Sequence, residues 1–226
     1  MAQHTQTADG NGQDTALKAA CDFIRGVSFA TAETSPTETR GGIPILRAGN
    51  IQNEIDFHND LLWVPSERVS SNQLLRPGDI VVCMSSGSAS VVGKTCQVRH
   101  HWRGSVGAFC GIIRPKDACD SDFLANWLRS PSFTAWRDAQ ARGANIQNLR
   151  FSEMAKIKLP WPPQSQRRRI AARLGEQLAA ATQARSSIQA QISAAQALPA
   201  AHLRSALGNS GFRFPLSSLT FAFSLY

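Results

Sequence analysis

Apolar and polar positions divide this chain into two regimes. Between residues 43 and 113, apolar residues come in short runs separated by polar loops that carry Gly or Pro. Runs at 43–46, 61–64, 79–84, 90–98 and 106–113 have strand length, and the third follows the turn signal Arg76-Pro77-Gly78-Asp79. After Pro115 the spacing becomes helical. Phe123, Leu124, Trp127 and Leu128 share one helical face over 121–128, with Asp120 or Ser121 as the cap. A second helix is expected over 132–141, a polar loop over 142–148, a helical turn over 152–155 and a last short strand over 157–159. Residues 16–24 read as a short helix or the approach to a strand, and 1–15 as disordered for want of an apolar anchor. Strands followed by a few helices, without regular βα alternation, predict an α+β body with a mixed β-sheet and short helices.

The second regime begins at Leu159-Pro160-Trp161-Pro162-Pro163. Proline forbids helix before it but tolerates a first helical turn, where its missing N–H costs nothing. Leu174, Leu178, Ala181, Ile188, Ile192 and Ala195 then recur at spacings of four and three, with Arg185 at one inward position. This is a coiled-coil-like seam, and the run free of proline to Pro199 predicts a helix about 50 Å long. Such a helix needs a second one along its seam, and an antiparallel coiled coil is expected. The chain therefore divides into a globular body at 1–163, a spacer or dimerisation helix at 164–208 and an unassigned tail at 209–226.

Composition narrows the partners. The net charge is +8 and the sequence pI about 9.9, which points to a polyanion, most often nucleic acid, with a membrane surface second. Cys21, Cys83, Cys96, Cys110 and Cys119 are odd in number and form no Cys-x-x-Cys. Reduced thiols in a cytoplasmic protein fit better than a disulfide framework or a zinc site. The polar N-terminus lacks a signal-peptide core, and no apolar run reaches the length of a membrane span. A thiol triad of Cys83, His100 or His101, and Asp117 has no support, because Cys83 sits inside an apolar run. No phosphate loop, methyltransferase motif or acidic metal cluster occurs, so neither catalysis nor a cofactor or metal is expected.

Groove readers need guanidiniums, amides and hydroxyls. Arg142, Asn145, Gln147, Asn148 and Arg150 supply this mix within one polar loop. Arg47 and Asn50 follow a strand, where turn chemistry competes with DNA contact. Ser85, Ser86 and Ser88 flank Gly87 with Lys94 nearby, and are either phosphate donors or a plain Ser/Gly loop. Arg167, Arg168 and Arg169 open the long helix, where positive charge is disfavoured. DNA phosphate, an acidic partner or solvent could compensate them.

Four stretches taken in order carry a family resemblance. Gly42-Ile43-Pro44-Ile45-Leu46-Arg47-Ala48-Gly49-Asn50-Ile51 resembles the opening of target recognition domains in the specificity subunits of type I restriction-modification systems. Pro77-Gly78-Asp79-Ile80-Val81 with Ser85-Ser86-Gly87-Ser88 and Gly93-Lys94 is the second stretch, and Gly143-Ala144-Asn145-Ile146-Gln147-Asn148-Leu149 the third. Ile157-Lys158-Leu159-Pro160 with Pro162, Pro163, Gln166 and Ile170 is the fourth. The resemblance implies a sequence-recognition subunit without its own catalytic centre. Such a subunit binds one half of a bipartite double-stranded DNA target and docks methyltransferase and restriction subunits. Where the family has two recognition domains and two helices, this sequence carries one of each. A second copy is the expected supplier of the second helix, through Leu174, Leu178, Ala181, Ile188 and Ile192. A helical interaction protein that reads no DNA, and a truncated inactive subunit, are the alternatives. Arg47, Lys94, Arg142 and Arg150 gathered on one surface would favour the DNA reader.

Overall fold

The computed structural model describes residues 13–88, 90–142 and 148–208. In chain order the elements are β1 (Gln13–Ala16), α1 (Leu17–Ala20), β2 (Cys21–Arg25), β3 (Ile43–Leu46), β4 (Leu62–Val64) and β5 (Ile80–Cys83). Then come β6 (Thr95–Gln97), β7 (Ser105–Val106), β8 (Cys110–Pro115), α2 (Ser121–Trp127), α3 (Pro131–Arg142), α4 (Phe151–Met154), β9 (Lys158–Trp161) and α5 (Gln164–Gly208). The fold is α+β with a long C-terminal helix. The chain forms two compact units, Met1–Leu174 and Gly175–Tyr226.

The centre of the first unit is an antiparallel sheet in the order β2-β8-β5-β6. Strand β5 reads Ile-Val-Val-Cys and is buried throughout, as expected of a strand covered on both faces. Alternation sends its side chains two ways. Ile80 and Val82 join Leu17, Ile113, Phe123, Leu124, Leu128, Phe133, Met154 and Leu159 in the core beneath the helices. Val81 and Cys83 join Leu46, Ile51, Phe57, Cys96, Val106, Cys110 and Ile112 on the opposite face. A smaller sheet, β4-β3-β7, lies beyond; its β3–β7 pairing is parallel and its β3–β4 pairing antiparallel.

Several boundaries differ from the sequence expectations for local reasons. The run at 90–98 contributes a strand only over Thr95–Gln97, because Gly93 turns the chain with a φ of 78°. The run at 106–113 splits into β7 and β8, because Gly107 donates its N–H to Leu46 and its carbonyl accepts from Cys110, closing a turn around Ala108 and Phe109. Residues 13–15, expected to be disordered, belong to β1. They pair with β9, matching Gln13 to Trp161 and Ala16 to Lys158. An adjoining apolar residue, Leu17, is fully buried and ties this polar strand down. Residues 1–12 and 209–226 lie outside the described residues.

Two buried ion pairs organise the polar interior. At one end of the main sheet, Arg114 grips Asp79 with Nε at 2.8 Å and Nη2 at 2.7 Å. Its remaining donors reach the Asn72 carbonyl and side chain and the Leu74 carbonyl, each at 2.9 Å. In the second pair, Arg167 holds Asp120 through Nε at 2.7 Å and Nη2 at 2.9 Å. Arg167 also donates to the Pro162 carbonyl at 2.6 Å and stacks 4.0 Å over Trp161. Only 7% of Arg167 is exposed. The charge of Arg167 is thus compensated inside the chain, while Arg168 and Arg169 are exposed. Asp120 stands at the N-cap position of α2 but makes no side-chain cap bond, because its carboxylate is engaged by Arg167.

From Arg173 onward the described side chains of α5 are exposed, including Leu174, Leu178, Ala181, Ile188 and Ile192. The helix continues through Pro199 to Gly208. Pro199 has no N–H to donate to the Ala195 carbonyl, so one rung of the helix is missing there.

Truncating one partner of a buried pair strands the other charge. Asp120→Ala is expected to lower unfolding stability by about 3–5 kcal/mol, whereas the double substitution Asp120→Leu with Arg167→Met should be close to neutral. Urea denaturation of the three proteins measures both. Equal losses in the single and double variants would mean the site depends on packing and not on charge compensation.

Candidate nucleic-acid interface

Antiparallel pairing brings four chain segments to one end of the main sheet. Strands β2 and β5 finish there while β8 and β6 begin. The side chains delivered are Arg25 from β2, Phe109 just before β8, Met84 and Ser85 just after β5, and Lys94 just before β6. Arg25, Phe109 and Lys94 are exposed. This is the end opposite the Asp79–Arg114 pair.

Backbone hydrogen bonds hold this end together. The Phe109 carbonyl accepts N–H groups from Met84 at 2.8 Å and Ser85 at 3.0 Å. Ser85 forms an antiparallel bridge with Asn148, and Leu149 donates its N–H to the Met84 carbonyl at 2.7 Å. The polar loop singled out in the sequence therefore returns directly beside the serine loop. Leu149 is buried, while its neighbours Asn148 and Arg150 are exposed. Arg150 leads into α4, whose Phe151 ring lies 5.2 Å from the ring of Phe23 on β2.

The serines differ in freedom. Ser85 and Ser86 are half-buried and Ser88 is exposed. Ser86 Oγ accepts the Ser88 N–H at 3.2 Å, and Ser88 Oγ shares a 2.9 Å hydrogen bond with Ser90. These bonds order the loop around Gly87. Lys94 is fixed by its backbone, whose carbonyl accepts the Cys83 N–H at 3.0 Å. Next to it, Gly93 takes a φ of 78°, which favours glycine, and a β-carbon there would press on the Arg137 side chain.

A surface cleft of about 530 Å³ adjoins Lys94, and the turn after Arg47 forms its other wall. Gln52, Asn53, Arg129, Thr134 and Arg137 also line it. Pattern reading passed over these residues. Arg129 falls just past the helix expected over 121–128 and Arg137 inside the one expected over 132–141; Arg129 is exposed, Arg137 half-buried, and the buried Phe133 lies between them in sequence. Arg137 is partly neutralised by Asp138 at 2.9 Å.

Asn50 has a different place from the one expected. It is 2% exposed. Its Oδ1 accepts the Arg47 N–H at 2.7 Å, and its Nδ2 donates to the carbonyls of Asp56 at 3.1 Å and Asn59 at 2.7 Å. Both amide donors are used, so nothing remains for a base edge, and turn chemistry accounts for this residue. Arg47 is exposed at the start of the same turn. The backbone of Arg142 closes α3, and Asn145 and Gln147 lie outside the described residues.

The site offers hydrogen-bond donors and positive charge. No cluster able to hold a metal ion occurs among the described residues. Cys83 is fully buried against Cys110, and its Sγ donates to the Ser85 carbonyl at 3.4 Å. The Cys110 thiol is pushed well above its ordinary range by its hydrogen bond with Cys83 and by burial. His100, considered as a partner for Cys83, instead packs edge-on against Phe57 at 4.8 Å.

If Asn50 serves the turn, Asn50→Ala should cost about 1–3 kcal/mol, the usual penalty for stranding buried polar groups. Denaturant unfolding reads this directly. An unchanged midpoint would return Asn50 to the set of groove readers.

Residues 18–194 match the family described as Type I restriction modification DNA specificity domain. The chain is 37% identical over 157 residues to the EcoKI specificity subunit of Escherichia coli K12, and 36% identical over 157 residues to the StySPI specificity subunit of Salmonella potsdam. Both are type I restriction enzyme subunits; each alignment covers 70% of this chain and 34% of the relative. The matched region thus spans about a third of those curated proteins. Among solved structures, the fold resembles a chain from a type I R-M system studied for complex assembly and conformational transition. The TM-score there is 0.59 at 18% identity, covering 83% of this chain and 44% of the other. It also resembles the HsdS subunit from Thermoanaerobacter tengcongensis, with a TM-score of 0.55 at 20% identity, covering 80% and 41%. With more than half its length inside the family match and a sheet end built of exposed cations and amides, this chain belongs to the type I restriction modification DNA specificity domain family.

Proposed function

We propose that the chain is a DNA sequence-recognition subunit of a type I restriction-modification system. It reads one half of a bipartite target, docks methyltransferase and restriction subunits, and itself catalyses nothing. Residues 1–163 are the reading unit, 164–208 the spacer helix, and the setting is the cytoplasm. The observation that carries the reading is the convergence at one sheet end of Arg25, Lys94, the serine loop and Asn148, with Arg129 and Arg137 lining the adjoining cleft. Lys94 and the serines 85, 86 and 88 hold phosphate. Arg142, Asn145, Gln147, Asn148 and Arg150 read the bases. A helical interaction protein that reads no DNA has no use for cations gathered in this way.

Binding should fall steeply with salt, because each phosphate neutralised releases counterions. Lys94→Ala should weaken all sequences alike and reduce the salt slope by about 1, whereas Asn145→Ala and Gln147→Ala should relax preference at single positions by about 1–3 kcal/mol. Anisotropy titrations with the methyltransferase subunit present measure both effects. No DNA binding under those conditions would end the proposal.

The exposed seam on α5 supports a second part of the reading. Leu174, Leu178, Ala181, Ile188 and Ile192 are apolar and solvent-facing at heptad-like spacing, the pattern of a helix that pairs. A second copy in antiparallel register covers like with like across a two-fold axis. Such a pair carries two identical readers in inverted orientation, so the methylated motif should be a palindrome interrupted by a fixed spacer. Light scattering on the purified chain and methylome sequencing of the host report the stoichiometry and the motif. A strict monomer with and without the methyltransferase, or two unrelated half-sites, would refute the pairing.

A further inference from the structure

Among the described residues, the exposed large apolar side chains are those of α5 and one other, Phe109. Phe109 is 69% exposed, in the turn between β7 and β8. Its backbone is rigidly held, since its carbonyl accepts both the Met84 and Ser85 N–H groups. Through Ser85 it is one bridge away from Asn148, and along the same sheet end lie Arg25 and Lys94. Of the residues delivered by the four strand ends, two are cations and none is an acid. An aromatic ring fixed by its backbone and flanked by cations fits a polyanion with an apolar feature between its charges. The floor of the DNA major groove has one such feature, the C5-methyl group of thymine. A phenyl ring can neither donate nor accept a conventional hydrogen bond, so it reads nothing else on the edge of a base pair.

We propose that Phe109 is a specificity-determining residue that contacts a thymine C5-methyl group in the target half-site. The proposal rests on the reading of this sheet end as a DNA interface and adds a base class to it. Removing a buried methyl group costs about fourfold in affinity, from the transfer value of a single carbon. The test uses the full chain with its methyltransferase subunit and a duplex carrying the motif found by methylome sequencing. Each thymine in turn is replaced by deoxyuridine, which lacks only that methyl. For the unsubstituted protein, one position per half-site should lose about fourfold in anisotropy titrations. Phe109→Ala should bind the parent duplex correspondingly more weakly and show no further loss at that position. Phe109→Leu, which keeps an apolar surface, should retain the discrimination. Phe109 is largely exposed, so both variants should melt with the parent protein, and circular dichroism checks this.

The outcomes separate cleanly. If the unsubstituted protein binds no duplex, the DNA-reading function fails. If it binds, but Phe109→Ala shows the same thymine-to-uracil profile, only the role of Phe109 fails. A Phe109→Ala protein that loses affinity equally for every duplex while keeping the uracil effect also overturns the methyl contact.

Discussion

The five donors of Arg114, all satisfied within 3 Å by Asp79, Asn72 and Leu74, set the register of the main sheet. Asp79 opens β5 and Arg114 lies near the end of β8, so their bidentate contact fixes where the two strands begin to pair. The Asp79 carboxylate also accepts the Arg76 N–H at 2.8 Å and closes the turn in which Gly78 takes a φ of 95°. In a sheet, a slip of one residue exchanges the two faces. Here it would move Val81 and Cys83 out of one core and Ile80 and Val82 out of the other. It would also change which residues emerge at the far end. The composition of the candidate interface therefore depends on a charge pair at the opposite end of the same strands.

The long helix depends on a similar device. Arginine near a helix N-terminus opposes the helix dipole, and Arg167 meets that cost with a buried carboxylate, a carbonyl and an indole face. Arg168 reaches Cys119 Sγ, and Gln164 reaches the Asp117 carboxylate at 2.6 Å. The Asp117 carboxyl is held below its ordinary range, first by the Cys119 N–H and also by the nearby arginines. The start of α5 is thereby anchored to the segment before α2.

Much of the architecture was legible from periodicity. The strand runs at 43–46, 61–64 and 79–84, the helices after residue 120 and the long helix lie within a few residues of where the pattern puts them. Less legible were features set by contacts remote in sequence. Strand β1 has no apolar signature because its partner β9 supplies the pairing. The acceptor for Arg167 lies 47 residues away, and no local rule identifies it. The site was partly visible in the same sense. Its serines, Lys94 and Asn148 stood out as groove-reading chemistry, and pairing brings Ser85 to Asn148. Asn50 carried the same chemistry but spends it on the 56–59 loop. Arg129, Arg137 and Phe109 went unnoticed, because what singles them out is what lies beside them in space.

The sheet end is assembled through main-chain atoms. Met84, Ser85 and Leu149 exchange N–H and carbonyl groups with one another and with Phe109, and these bonds exist whatever side chains the positions carry. The framework and the side chains displayed on it are therefore separable. Mutations at Phe109, Asn148 or Lys94 change the chemical face presented outward while leaving the supporting bonds and both cores intact. The outward chemistry of this sheet end can therefore be exchanged without rebuilding the sheet that supports it. The polar interior is different, since changing one member of either ion pair leaves the other charge buried without its counterpart.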